Sequence, residues 1–243
     1  MKLGLTGRSA TLLGARGAIG RALSEELAAE GVQLTLASRT PPAAGRLTWL
    51  QTDIADPISR GALIRRMLED GCDIFVALAA SGVRGELTAA PGGELDLAMW
   101  VKVWGPAIVV EEVAPRMAQA GWGRIVLASG IAGHEPVPGY LAGGVANAAV
   151  RNVVKGLSER WAANGVTINA VCPGPVASER LSTTREQGAG ARHAWVAGPE
   201  RMPARRYLDP AEVAHVITFL VSTAASGING AEIVVDGAAT LGT

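Results

Sequence analysis

The sequence predicts an α/β protein: a doubly wound, seven-stranded parallel sheet of Rossmann type, in a single domain spanning 1–243. Three observations predict it. Short apolar runs alternate with helix-patterned segments from end to end. The run Ile74-Phe75-Val76-Ala77 is apolar at every position, as a parallel strand buried on both faces must be. A glycine-rich turn follows the first run and opens directly into a helix.

Each element has its own signal. Residues 9–13 read as the first strand. Residues 18–29 form a helix with Leu23 and Leu27 on one face, and Gly31 stops it. The second strand covers 32–37 and the third 47–51. Asp56-Pro57 supplies an N-cap and a first-turn proline for a helix running through Leu68. The fourth strand is 73–79. A long helical stretch over 94–120 contains Gly105-Pro106. The fifth strand is 123–129, the next helix 145–163 and the sixth strand 166–171. Asp209-Pro210-Ala211-Glu212 is a capping box that opens a helix to about 222, and 231–235 is the seventh strand. Residues 178–208 break the rhythm with Ser, Thr, Arg, Gly and Pro. A segment this long between a strand and a helix reads as a lid over the substrate.

Composition excludes several classes. Lys+Arg and Asp+Glu are both 22, so the net charge is zero, and no basic run offers a surface to nucleic acid or an anionic membrane. The two cysteines, Cys72 and Cys172, lie in no C-x-x-C and no Cys/His cluster, so neither a disulfide framework nor a metal site is expected. No leader pattern opens the chain, and no apolar run approaches the roughly 18 residues of a membrane helix. A cytoplasmic protein acting on a small molecule is the expectation.

The turn reads Gly14-Ala15-Arg16-Gly17-Ala18-Ile19-Gly20. Small residues there let the backbone approach a pyrophosphate, whose charge sits at the positive helix end. At this point the chain resembles the short-chain dehydrogenase/reductase family, and nearly over its whole length. The family's turn is Thr-Gly-x-x-x-Gly-Ile-Gly. Here Leu13 replaces the threonine and Ala18 the middle glycine, while Gly14, Ile19 and Gly20 fit. Asp53-Ile54 stands where the family meets adenine, and Ala79 at the cofactor side of the fourth strand. Pro173-Gly174 matches the family's Pro-Gly, with Val176 and Ser178 at the positions that hold the nicotinamide carboxamide. Gly227-Ile228-Asn229-Gly230 and Val235-Asp236-Gly237 match the family's ending. The second strand ends in Ser38-Arg39, where an acid would bind a ribose diol. An always-charged guanidinium suits a 2′-phosphate instead. The expected cofactor is therefore NADPH, with Ser38 and Arg39 on the phosphate and Arg16 as a second contact.

The resemblance fails at the chemistry. The family works with Asn, Ser, Tyr and Lys, and here Lys102, Gly130, Gly143 and Asn147 stand in those places. The Asn-Asn-Ala-Gly after the fourth strand is Ala77-Leu78-Ala79-Ala80. Replacement acids within reach in the sequence are Ser129, Tyr140 and His134. For each, a plain packing or surface role is the competing reading. Lys102 either stabilises a developing alkoxide or turns out to solvent. Ser81, His193, Trp195 and Tyr207 are placed around a flat substrate.

Hydride transfer depends mostly on proximity and orientation, so a substrate with its own phenolic proton dispenses with the tyrosine. The glycines also open room for a bulky ring system. The pattern is similar to the atypical ketoreductases of angucyclinone-type antibiotic pathways. That similarity implies reduction of a polycyclic aromatic polyketide by NADPH, substrate-assisted in the chemical sense that the ketone carries its own acid. Two alternatives stay open: an inactive NADP-binding regulatory or scaffold protein, and a non-redox cyclase or dehydratase on the same fold. The resemblance also implies a homo-oligomer, dimer or tetramer, built on the two long helices.

Overall fold

A computed structural model describes residues 2–41, 47–82, 92–137, 139–186 and 198–240. Seven parallel strands form one sheet in the order β3-β2-β1-β4-β5-β6-β7. The strands are β1 (Ser9–Leu13), β2 (Gln33–Ser38), β3 (Thr48–Gln51), β4 (Ile74–Ala77), β5 (Gly123–Ala128), β6 (Val166–Pro173) and β7 (Glu232–Val235). The chain leaves β3 and returns beside β1 as β4. This reversal opens a crevice beyond the carboxyl ends of β1 and β4, where such sheets take ligands.

Alternation along the strands divides the core in two. Leu13, Phe75, Ala77, Ile125, Leu127, Ile168 and Ala170 point to one face. There they meet α2 (Pro57–Asp70), α4 (Gly105–Gln119) and α5 (Leu141–Trp161) through Leu63, Val109, Val113 and Val150. Ala10, Leu12, Ile74, Val76, Val126 and Val171 point to the other face. There α1 (Ala18–Ala29) and α7 (Pro210–Leu220) cover them with Leu23, Leu27, Val213 and Ile217. The predicted caps are present. Asp56 accepts from the Ser59 N–H at 2.6 Å, and Asp209 and Glu212 close the capping box that starts α7.

The helix expected over 94–120 is three pieces: α3 (Gly92–Met99), a π-helical turn at Trp100–Trp104, and α4. Proline has no N–H, so Pro106 cannot close a normal turn, and the Gly105 N–H reaches back five residues to the Trp100 carbonyl. The wider turn carries Lys102 at its centre. A side chain on Gly105 would also lie 2.8 Å from the Ile54 carbonyl oxygen, so the helix approaches that loop closely only with glycine there.

Residues 178–208 are not a continuous loop. They begin with α6 (Glu179–Glu186), and a short 3-10 turn at Pro199–Arg201 precedes α7. Backbone pairing ties Val176 to Leu208 and so closes the base of this excursion. β6 runs two residues past its expected end, to Pro173, because β7 pairs with it that far. Two asparagines fasten this corner. Asn169 donates to the Ile228 carbonyl at 2.8 Å and accepts from the Ala231 N–H. Asn229 accepts from the Ile168 N–H at 2.8 Å.

Candidate active site

A cavity of about 300 Å³ lies at the crevice. Its walls come from the β1–α1 turn, the ends of β4, β5 and β6, the π turn and the start of α5.

The β1–α1 turn is built for close approach. Gly14 has φ +87°, and the Leu78 and Ala79 backbone packs against it. α1 then begins at Gly17 with no side-chain cap and no acid in its first turn. Its first N–H groups therefore remain available to an anion on the cavity side. At the far end, Gly174 rests on Asp236, whose carboxylate accepts from Ala238 N and Thr240 N at 2.9 Å each. Bridge pairing uses the carbonyl of Pro175 and the N–H of Ala177. The Val176 N–H is thereby left pointing away from Leu208, on the cavity side. An uncapped helix end, glycines without Cβ and the Val176 N–H, unpaired among the described residues, form a cradle whose shape and donors fit a dinucleotide.

Several predicted cofactor contacts differ in detail. Ser38 is not available to a phosphate. Its hydroxyl is buried, donates to the Thr40 carbonyl at 2.6 Å and accepts from Trp49 Nε1 at 3.0 Å. Arg39 is exposed and makes no ion pair among the described residues. Arg16 donates to Thr40 Oγ1, which brings a second guanidinium to the end of β2. Asp53 accepts from the Ala55 N–H at 3.0 Å, and the Ile54 side chain is core. Ser178 caps α6, accepting from the Leu181 N–H at 3.3 Å and donating to the Val176 carbonyl. Ala18, Ile19 and Ser178 line the cavity, and Ala79 stands behind Gly14.

Two of the replacement acids commit their polar atoms to Glu232, although Ser129 lines the cavity. Ser129 Oγ lies 2.5 Å from Glu232 Oε1 and 3.3 Å from the Val171 carbonyl. His134 Nε2 lies 2.8 Å from Glu232 Oε2, and neither ring nitrogen reaches the cavity lining. Glu232 organises both, a residue that the sequence alone does not single out. An acid opening an otherwise apolar strand, Glu232-Ile233-Val234-Val235, was the available signal. Cys172 sits beside them, and burial pushes its thiol up to about 11, which removes it as a nucleophile near neutrality. Tyr140 does line the cavity, but its ring lies over Gly143. A side chain at 143 would overlap that ring, so the glycine is what lets the ring lie there.

Lys102 is neither solvent-directed nor free. Its ammonium donates to the Ala128 carbonyl at 3.1 Å, the Ser129 carbonyl at 2.9 Å and Asn147 Oδ1 at 2.6 Å. Those contacts match its three donors. Stabilising an alkoxide directly would require breaking one of them, which corrects the role expected from sequence. Of the residues placed around the substrate, Ser81 and Tyr207 are outside the cavity lining, and His193 and Trp195 lie outside the described residues. Val137, Ile131 and Leu181 supply apolar lining that the sequence did not single out.

Fold and cradle together define a dinucleotide-binding α/β protein of the oxidoreductase type. The chain belongs to the short-chain dehydrogenase/reductase family: the family described as enoyl-(acyl carrier protein) reductase matches residues 14–240. It is similar to cis-4-hydroxycyclohexanecarboxylate dehydrogenase of Sinomonas cyclohexanicum, at 32% identity over 96% of each chain. Oxidoreductase UcpA of Escherichia coli K12 is 29% identical, covering 98% of this chain and 96% of that one. Among solved structures, a 3-oxoacyl (acyl-carrier-protein) reductase from Agrobacterium tumefaciens with NADP bound superposes with a TM-score of 0.86. It is 25% identical and covers 97% of this chain and 95% of that one. No helix among the described residues is long and apolar enough to cross a membrane.

Proposed function

We propose that this protein is an NADPH-dependent ketoreductase that reduces a carbonyl of a polycyclic aromatic polyketide, of angucyclinone type, in antibiotic biosynthesis, with the substrate supplying the acid. One observation carries the reading: Gly143 stands where a proton donor belongs and is covered by Tyr140, while the cradle for the nicotinamide end is intact. The solved relative that holds NADP and the relative that oxidises a ring alcohol support the cofactor and the cyclic substrate.

Gly14, Gly17, Ala18 and Ile19 hold the pyrophosphate, Arg39 and Arg16 the 2′-phosphate, and Val176 the carboxamide. The reduced nicotinamide supplies the hydride. The mostly apolar walls hold a flat ring system and exclude water. A phenolic hydroxyl beside the reacting ketone donates its proton to the new alkoxide, and the phenolate regains one from water. A general acid is worth about 10²- to 10⁴-fold, and an internal phenol recovers much of that. Leu97, Trp100, Trp104 and Val145 are exposed on the long helices and their π turn, which suits the homo-oligomer read from the family resemblance.

The test is NADPH oxidation by the purified protein with 8-hydroxy-1-tetralone against 1-tetralone, alongside hydroxyquinone polyketide ketones. Turnover of the phenolic ketones, slower by about 10² or more without the hydroxyl, is expected. Equal rates with both tetralones remove substrate assistance, and NADPH binding without oxidation of any ketone removes the reductase. On the protein side, Ser129→Ala, His134→Ala and Tyr140→Phe should each cost less than about 10²-fold in kcat. A 10⁴-fold loss from one of them would reveal a side-chain acid.

A further inference from the structure

Asn147 is 4% exposed, lies on α5 and lines the cavity. Its carboxamide orientation is set by chemistry. The Lys102 ammonium can only donate, so the atom 2.6 Å from it must be the carbonyl oxygen, Oδ1. The amide nitrogen is thereby turned the opposite way, toward Gly130. No residue among those described accepts a hydrogen bond from Nδ2. A Cβ on Gly130 would lie 3.0 Å from Nδ2 and would crowd it, so a glycine there keeps this NH₂ open. The donors of this amide are open to the cavity and are ready for an acceptor placed there.

We propose that Asn147 Nδ2 hydrogen-bonds the substrate's carbonyl oxygen and, as hydride reaches the carbonyl carbon, the alkoxide that forms there. The electron pair of the C=O bond moves onto oxygen, Nδ2 keeps its proton, and the phenol of the substrate protonates the oxygen afterwards. Lys102 is a positioning residue. It fixes the amide and, by drawing density toward Oδ1, makes Nδ2 the stronger donor. Aimed donors in a water-poor site are worth most where charge develops. The assignment rests on the ketoreductase reading and adds to it the group that receives the charge.

The variants are Asn147→Asp and Asn147→Leu, with Lys102→Met, assayed with NADPH and 8-hydroxy-1-tetralone. Asn147→Asp is nearly isosteric and can pair with Lys102, but it offers an acceptor where the amide offered a donor. It should fold, bind NADPH within about threefold of the native protein, and lose about 10²- to 10³-fold in kcat. Asn147→Leu should lose as much, and Lys102→Met should lose kcat in larger proportion than NADPH affinity. A second readout needs no turnover. In the complex with NADP⁺, the infrared carbonyl stretch of bound 8-hydroxy-1-tetralone should shift downward in the native protein and return toward its solution value in Asn147→Asp. Native turnover with both Asn147 variants within threefold overturns the donor and leaves the reductase standing. No native turnover with any ketone overturns the reductase reading, and the carbonyl stretch then decides the donor alone: an unshifted band rejects it.

Discussion

Gly14→Ala should abolish useful NADPH binding, raising its Kd by more than about 10²-fold, and should lower the melting temperature by roughly 6–12 °C. Gly14 has φ +87°, where an L side chain costs about 1–2 kcal/mol. The new Cβ would also stand 2.7 Å from the Ala79 nitrogen and 2.8 Å from the Leu78 carbonyl carbon. Both are backbone atoms, so no side chain can swing aside. β4 is tied to β1 there through Leu78 N–H to the Leu13 carbonyl at 2.8 Å, and Gly14 N–H is tied to the Ala37 carbonyl at 2.9 Å. Relief must therefore come from a shift of the turn itself, at a cost typical of overpacking, about 1–3 kcal/mol. A total near 3 kcal/mol gives the stated melting shift for a chain of this size. The binding loss follows because the same shift moves the uncapped start of α1. Calorimetry and thermal unfolding check both. A melting temperature within 2 °C of the native value, with NADPH affinity retained, would show that the turn is not the cradle.

The sheet was legible because parallel strands buried on both faces announce themselves. Ile74 to Ala77 and Ile125 to Leu127 are apolar at every position, and the alternation of their contacts needs no other information. The division of the long helix was not. Gly105-Pro106 marks a break, but only the Gly105 N–H bonded to Trp100 shows that the break widens into a π turn and aims Lys102 inward. Nor was the commitment of Ser129 legible. Glu232 opens β7 and takes the Ser129 hydroxyl, so Ser129 lines the cavity while its polar atom is spent elsewhere. What the sequence hid is contact across elements. Lys102 and Asn147 stand where the family resemblance puts an asparagine and a lysine, so each looks like a loss on its own. In the fold they meet at 2.6 Å as an exchanged pair, 45 positions apart, through a packing that neither segment encodes alone.

Arg39→Glu should reverse the cofactor preference, with the NADPH-to-NADH affinity ratio falling by about 10³-fold. Hydrogen bonds to a charged group contribute about 1.5–3 kcal/mol, so losing the guanidinium alone removes about 10- to 150-fold in NADPH affinity. The new carboxylate adds repulsion toward a 2′-phosphate and an acceptor for a ribose diol, which moves the two affinities in opposite directions. Arg39 is exposed and forms no ion pair among the described residues, so none of these neutralises it before the phosphate arrives. Arg16, held to Thr40, keeps part of the attraction and should limit the reversal. Arg16→Ala added to Arg39→Glu should deepen it. Ser38→Ala serves as the contrast. Its hydroxyl is committed to the Thr40 carbonyl and Trp49 Nε1, so the variant should lose some stability and leave the ratio within about threefold. Because the contact is open to solvent, the native preference for NADPH should also narrow as ionic strength rises. Calorimetric titration of both cofactors at two salt concentrations measures all of this. An Arg39→Glu protein that still prefers NADPH would move the phosphate site elsewhere, and a ratio that collapses in Ser38→Ala would mean that the buried hydroxyl opens to the ligand.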